Sequence, residues 1–341
     1  LFLHIGLPKT GTTSVQNFLY LNSKVMFEKG VFYPNLAQDT QSIYCRDTTD
    51  DNLNGNAYPL SYNYLEDKSI TICNEKGVSL SKLSDVLQLN QRDVLLSSEW
   101  FVTMPPNVID ELNVIAEDNR YNVKVICYVR RQDLLVESTY NQRIKIKGDD
   151  ISVDDFLYLP DFQNNVAKFA NVFGDDAIII RCFEKRQLVG GNLYADFLDC
   201  LGLKIDNIGG ILIPDKSINA SVGSSVINLL REMARKGIKP CHERNLLISC
   251  FEKEPEGKIS KVRPSWFSPE ARMSYLKDAE KLNIRFARRF LKRSSGLLFY
   301  DTPIYDDSKW KDANKERVSK NYLSRVIKRL DQFPKTDMMV T

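Results

Sequence analysis

Four short apolar runs rich in β-branched residues recur along the chain, at 1–6, 93–98, 123–129 and 177–183. Their near-continuous hydrophobic character is typical of strands buried on both faces of a sheet, because a half-buried strand alternates apolar with polar residues. Segments with helical periodicity lie between the runs. Strands that alternate with helices predict an α/β fold, built on a parallel β-sheet flanked by helices.

The helical segments carry recognisable end signals. Thr12 or Thr13 is expected to cap the first helix and Asp133 the third, while Gly202 is expected to end the fourth. Two basic amphipathic helices are predicted near the end of the chain. The predicted helices cover residues 13–20, 108–116, 134–146, 193–201, 276–293 and 314–333.

Two stretches, 36–77 and 203–270, lack clear periodicity and are rich in Asn, Asp, Ser, Gly and Pro. We expect them to form long insertions over the carboxyl edge of the sheet, where open α/β sheets bind their ligands. No internal repeat or low-complexity tract divides the sequence. One domain over residues 1–341 is therefore predicted, with the two insertions shaping the site.

The composition is that of an ordinary soluble globular protein, with 43% hydrophobic and 27% charged residues. A net charge of +3 suits an anionic ligand but is too small to indicate nucleic-acid binding. No apolar run reaches the roughly 20 residues that span a bilayer, and no signal peptide is visible. The expected location is the cytoplasm, with the Golgi lumen as the alternative if an anchor precedes Leu1.

The pattern of cysteines and histidines predicts no metal site. The seven cysteines form no CxxC pair, so neither a zinc site nor a disulfide framework is expected, and reduced thiols are the simpler interpretation. There are two histidines. His4 lies within the first apolar run and is expected to pack in the sheet, and His242 has no matching set of ligands.

The first apolar run leads into GLPKTGTTS, which has the form of an anion-binding loop between a strand and a helix. Gly6 and Gly11 have the spacing of a nucleotide phosphate loop. However, Thr12 and Thr13 follow the second glycine where such a loop carries Lys and Ser or Thr. The lysine instead lies inside the loop, as Lys9.

This loop resembles the 5′-phosphosulfate loop of the sulfotransferases that use 3′-phosphoadenosine 5′-phosphosulfate (PAPS). The resemblance implies a P-loop-like sheet, PAPS as donor, 3′-phosphoadenosine 5′-phosphate (PAP) as product, and no metal. It also implies that Lys9 stabilises the charge of the leaving group at the bridging oxygen. The residues expected to contact the phosphosulfate are Lys9, Thr10, Gly11, Thr12, Thr13 and Ser14.

Two further segments carry the same resemblance. In YVRRQDLLVESTY, Arg130 and Ser138 have the family's spacing for 3′-phosphate ligands, and the adjacent Arg131 is the alternative to Arg130. The segment 178–203 resembles the family's strand and helix, with Phe183 where many members carry Tyr. The matches together cover roughly 1–20, 93–147 and 165–203.

Sulfuryl transfer to a hydroxyl requires a general base. Many family members use a His after the strand that precedes the Arg strand, and Glu99 occupies that place here. Polysaccharide sulfotransferases use a Glu, so the resemblance implies that Glu99 is the base and that the acceptor is a carbohydrate, in a polysaccharide or glycolipid. Pairing of Glu99 with a basic residue at the sheet edge is the other possibility.

The helix predicted over 276–293 has a basic face. Arg285, Arg288, Arg289 and Lys292 share it at helical spacing. Such a face is usually solvated, and it is also suited to an anionic polysaccharide.

Two other functions remain open at this point. A P-loop kinase or NTPase would use Glu99 to hold Mg²⁺, although the loop lacks the usual G-K-[ST]. A non-catalytic nucleotide-binding module on the same fold is the third possibility.

Overall fold

The computed structural model describes residues 1–36, 55–62, 79–214, 224–237 and 265–303, together with position 328. The chain divides into two compact units. Unit 1 comprises Leu1–Arg131, Pro160–Ile218 and Ala279–Thr302, and unit 2 comprises Gln132–Leu159, Asn219–Asp278 and Pro303–Thr341. The organisation of 1–341 as one sulfotransferase domain stays a prediction.

Unit 1 is built on a five-stranded sheet in which every pairing is parallel, in the order β2-β3-β1-β4-β5. The predicted α/β class with a parallel sheet is confirmed, and each of the four apolar runs forms a strand. The sequence did not predict β2, because an edge strand of two residues has no periodicity. The strands are β1 Phe2–Ile5, β2 Val31–Phe32, β3 Asp93–Ser98, β4 Lys124–Val129 and β5 Ile178–Cys182.

The helices predicted over 13–20, 108–116, 134–146, 193–201 and 276–293 are present with shifted ends, and the other described helices were not predicted. The helix predicted over 314–333 lies outside the described residues. The helices are α1 Thr12–Leu21, α2 Ser23–Glu28, α3 Tyr58–Tyr62, α4 Leu80–Gln88, α5 Pro106–Asp118, α6 Gln132–Lys147, α7 Val153–Phe156, α8 Phe162–Phe173, α9 Leu193–Cys200, α10 Ser224–Arg235 and α11 Pro269–Phe290.

Two predicted caps are wrong. The residue that precedes α1 is Gly11 in the left-handed conformation, so Thr12 and Thr13 lie inside the helix. Asp133 lies inside the first turn of α6, where Arg272 pairs with its carboxylate. The predicted stop at Gly202 agrees with the structure, since α9 ends at Cys200 and Gly202 has φ 73°.

The core of unit 1 forms where helices cover the sheet. Buried side chains of α1 and α9, such as Phe18 and Phe197, join Leu95, Ile126 and Tyr128 from the strands in one hydrophobic cluster. Outside that cluster, α8 packs against β4 and β5, and α5 packs against α8. The helix α8 was not predicted, although Asp161 caps it by accepting a hydrogen bond from the Gln163 amide at 2.9 Å.

Unit 2 contains a buried ionic cluster. The Arg272 guanidinium pairs with the Asp133 carboxylate and, at 2.6 Å, with Glu137. Glu137 also accepts a hydrogen bond from the Trp266 amide at 2.8 Å. These contacts attach the beginning of α11 and the segment before it to α6.

The predicted insertions are described only in part. Of 36–77, the structure describes Leu36 and 55–62, and of 203–270 it describes 203–214, 224–237 and 265–270. Within the described residues, no helix has the length and apolar character needed to cross a membrane.

Candidate active site

The candidate site lies where the strand order of the sheet reverses. β1 sits between β3 and β4, while β2 and β5 continue outward on opposite sides. In open α/β sheets, the crevice at such a reversal, outside the carboxyl ends of the strands, is the usual ligand site. The predicted anion-binding loop and two predicted site residues follow these strand ends directly. Gly6 follows β1, Glu99 follows β3 and Arg130 follows β4.

The loop from Gly6 to Gly11 is folded tightly on itself. The Thr10 hydroxyl donates to the Leu7 carbonyl at 2.6 Å, and a Cβ on Gly6 would lie 2.3 Å from the methyl carbon of Thr12. Gly6 thus allows the backbone to approach the start of α1. The loop sets the N–H groups of the first turn of α1 at the carboxyl edge of the sheet, which is the arrangement that binds anions.

Two residues of the loop adopt positive φ. Lys9 has φ 66° and Gly11 has φ 86°. A lysine in this conformation is strained, and strain of this kind is concentrated at functional sites. Gly11 is also enclosed, since a Cβ there would lie 2.7 Å from Leu193 and 2.9 Å from Phe183.

The two candidate arginines donate hydrogen bonds to different partners. The Arg130 guanidinium donates to the Lys9 carbonyl at 2.9 Å and lies 5.8 Å from the centre of the Phe183 ring. The Arg131 guanidinium donates to the Asp301 carbonyl at 2.8 Å. Arg130 therefore borders the loop, whereas Arg131 is engaged by the 300–301 segment.

Glu99 begins a short 3₁₀ helix, Glu99–Thr103, directly after β3. Because Ile5 pairs with Ser98 in the parallel register, Glu99 emerges beside the beginning of the loop. Burial raises the pKa of the Glu99 carboxyl above its ordinary value, while a hydrogen bond with Thr12 and the charge of Lys9 act in the opposite direction. A partly buried carboxyl with these neighbours has the properties of a general base.

His4 is buried, as expected. Its Nδ1 lies 2.9 Å from the Ser97 hydroxyl, and its ring packs edge-on against Phe197. Burial lowers the pKa of His4 to about 3. The imidazole is therefore neutral and packed within the core of unit 1.

The remaining predicted ligands lie in two places. Thr13 and Ser14 are in the first turn of α1 and are partly exposed. Ser138 lies on α6, in unit 2, and its role as a ligand of the 3′-phosphate stays a prediction.

The predicted basic face is partly engaged by the protein itself. Arg289 makes two hydrogen bonds to the Asp175 carboxylate, at 2.9 and 2.7 Å. Arg288 donates to the Ser294 carbonyl at 3.3 Å, while Arg285 and Lys292 are exposed. A role for this face in binding an anionic polysaccharide stays a prediction, with Arg289 less accessible than the sequence indicates.

Sequence reasoning missed Asn56, which braces the sheet edge beside Glu99. Its side-chain amide donates to the carbonyls of Pro34 (2.7 Å) and Leu95 (3.0 Å), and its Oδ1 accepts from the Ser97 amide at 2.8 Å. Asn56 lies in a segment without periodicity. No pattern in the sequence could have paired it with β3 and with the segment that follows β2.

Comparison with known proteins gives little guidance on function. No protein-family model matches the chain, and no solved structure matches it. An uncharacterized protein from Archaeoglobus fulgidus is 24% identical over 212 residues, which make up 62% of this chain and 57% of that protein. The chain thus spans little more than half the length of this curated relative. Its description names no activity.

Proposed function

We propose that this protein is a sulfotransferase that moves a sulfuryl group from PAPS to a hydroxyl of a carbohydrate. The proposal depends on one observation. The Glu99 carboxyl interacts with Thr12 and Lys9, while the Arg130 guanidinium bonds the backbone of that same Lys9. A base, a leaving-group cation and a phosphate-binding arginine thus meet at one strained loop.

The chain's own groups suit the donor. The helix N-terminus and the loop amides attract the 5′-phosphosulfate, and hydroxyls of Thr12, Thr13 and Ser14 supply further polar groups. Arg130 offers a planar guanidinium, which is suited to a phosphate group. Lys9 supplies a mobile cation where negative charge develops.

The proposed reaction is an in-line displacement at sulfur. Glu99 takes the proton of the acceptor hydroxyl as its oxygen forms a bond to sulfur. The bond between sulfur and the bridging oxygen breaks, and PAP leaves with the electron pair. Lys9 offsets the charge on that oxygen, and such preorganised stabilisation is often the largest contribution to catalysis.

A carbohydrate acceptor is proposed from the Glu base and the resemblance of the loop. A cytoplasmic location is part of the proposal. It is supported by Cys127, Cys182 and Cys200, which are buried free thiols, as expected in a reducing compartment.

Metal dependence separates this proposal from a kinase or NTPase. We expect PAP and PAPS to bind in EDTA as tightly as with Mg²⁺, and labelled sulfate to pass from PAPS to members of a glycan panel. In a kinase, ATP binding would strengthen with Mg²⁺ because the metal neutralises the phosphates. Mg²⁺-dependent ATP binding without affinity for PAP would overturn the proposal.

A further inference from the structure

The 3₁₀ helix that begins with Glu99 is fixed at its amino end by serine side chains. The Ser98 hydroxyl accepts a hydrogen bond from the Trp100 amide at 3.2 Å. It also lies 2.8 Å from the Ser61 hydroxyl of α3. Both serine side chains are buried. The backbone on either side of Glu99 is thereby tied to both β3 and α3.

The carboxyl end of the same helix is fixed by Lys168. Its ammonium donates to the Val102 carbonyl and, at 2.8 Å, to the Met104 carbonyl. The last carbonyls of a helix lack partners within it, and a cation near them is favourable. Lys168 therefore supplies donors that this short helix cannot supply itself.

Lys168 is itself held on a rigid element. Its neighbours on α8, Val166 and Phe169, are buried, and α8 packs against β4 and β5. Burial lowers the pKa of the Lys168 ammonium. A long side chain normally exposed to water is thus committed to two backbone carbonyls.

A short 3₁₀ helix has poor internal hydrogen-bond geometry and rarely persists without support. Glu99 is its first residue, so the orientation of the carboxyl depends on where the whole turn is held. We infer that Lys168 is a positioning residue for Glu99, which sets the distance of the carboxyl from Lys9 and Thr12 by fixing the far end of the turn. The expected loss of transfer rate rests on the proposed function, whereas the expected displacement of the Glu99 carboxyl does not.

The first experiment measures catalysis. We expect Lys168→Met to lower kcat by about 10- to 100-fold, since misplacing a catalytic group by about 1 Å can cost 10²-fold. Affinity for PAP, measured by calorimetry, should stay at the wild-type value. Lys168→Arg keeps donors for both carbonyls and should retain most of the activity.

Lys124→Met is the matched control. Lys124 also donates to a backbone carbonyl, that of Asp176 at 3.0 Å, but it lies at the amino end of β4. Its substitution should leave kcat unchanged. An equal loss of kcat in both Met variants would show that the effect is a general destabilisation of the protein, and it would overturn the inference.

The second experiment does not need an acceptor or any activity. The Glu99 carboxyl is titrated by carbon NMR in protein labelled at glutamate, with Glu99→Gln identifying its signal. In Lys168→Met we expect the pKa of Glu99 to move down toward its ordinary value, because the freed carboxyl becomes hydrated. Loss of a nearby positive charge alone would move that pKa up.

The outcomes are therefore distinct. A lower Glu99 pKa in Lys168→Met, restored in Lys168→Arg, supports the positioning role even if PAPS proves not to be the donor. An unchanged or higher pKa overturns it even if transfer is observed in the wild type. If Lys168→Met does not fold, Lys168→Gln, which keeps a shorter and uncharged amide, provides the same comparison.

Discussion

Burial and the charge of Lys9 act in opposite directions on the pKa of the Glu99 carboxyl. Burial makes the Glu99 carboxyl a better proton acceptor, and the charge of Lys9 keeps it from becoming protonated too readily. Lys9 in turn is held by its backbone, because Arg130 bonds its carbonyl. The proposed base thus lies beside the loop that carries the proposed leaving-group cation.

The arginine pair gives the sharpest prediction for single residues. We expect Arg130→Ala to weaken PAP binding by about 1.5–3 kcal/mol, because a charge-assisted hydrogen bond to the 3′-phosphate is lost. Binding of AMP, which lacks that phosphate, should change much less. Isothermal titration of both nucleotides gives the comparison.

Arg131→Ala is the matched control, since the Arg131 guanidinium is engaged by the Asp301 carbonyl. It should leave the ratio of PAP to AMP affinity unchanged. A selective loss of PAP affinity in Arg131→Ala, and not in Arg130→Ala, would reverse the assignment.

Residue types and spacing were enough to predict that the loop, Glu99 and Arg130 lie at one edge of the sheet, because parallel strands end there. The same signals gave a wrong prediction of the role of Asp133. Its partner Arg272 is 139 residues away, so an acidic residue before an apolar run resembled an ordinary cap. Lys168 was also missed. Its hydrogen bonds to backbone carbonyls far away in the chain leave no pattern of residue types that could be recognised in the sequence.

At the scale of elements, the four longer strands and five of the helices follow from the sequence pattern. The strand β2, the short α3 and even the 12-residue α8 do not. β2 and α3 are too short for a periodic pattern, and long-range contacts hold them in place. The Ala57 amide bonds the Ser97 carbonyl at 3.2 Å, and a Cβ on Gly55 would lie 2.0 Å from that oxygen. Such a close approach of two backbone segments depends on tertiary contacts, which the local sequence pattern does not predict.

The docking of this segment is expected to contribute measurably to stability. We expect Asn56→Ala to lower the free energy of unfolding by about 2–4 kcal/mol, because it leaves buried backbone groups of Leu95 and Ser97 without partners. Urea unfolding followed by circular dichroism measures the change.

The control for this prediction is Asn113→Ala. The Asn113 amide bonds the Glu117 carboxylate on the surface of α5, at 2.9 Å. Surface changes of this kind usually stay within about 0.5 kcal/mol. Equal effects of the two substitutions would contradict a bracing role for Asn56.

At the scale of the whole chain, pH dependence of stability reports on the buried histidine. The pKa of His4 is about 3 in the folded protein and about 6.5 in an unfolded chain. The unfolded state therefore binds more protons between these values. The free energy of unfolding should fall as pH falls below about 6.5.

Between about pH 6.5 and 5 most carboxyl groups stay ionised. Burial raises the pKa of Glu99 and Glu137, so these two carboxyls change the slope in the opposite direction, and they do so equally in the wild type and in the histidine variants. The chain has only two histidines, so His4→Gln should flatten the slope, while His242→Asn should leave the contribution of His4 in place. Urea midpoints across the window give the test. A slope that survives in His4→Gln would show that His4 is hydrated or protonated in the folded protein.

The most direct test of the central claim is single-turnover transfer from labelled PAPS by Glu99→Gln, alongside its affinity for PAP. Gln keeps the shape of the side chain but cannot accept the proton. We expect transfer to disappear while PAP binds as in the wild type. The wild-type rate should rise with pH through the elevated pKa of Glu99, because the ionised form is the base. Substantial transfer by Glu99→Gln, with the same pH dependence as the wild type, would contradict the account.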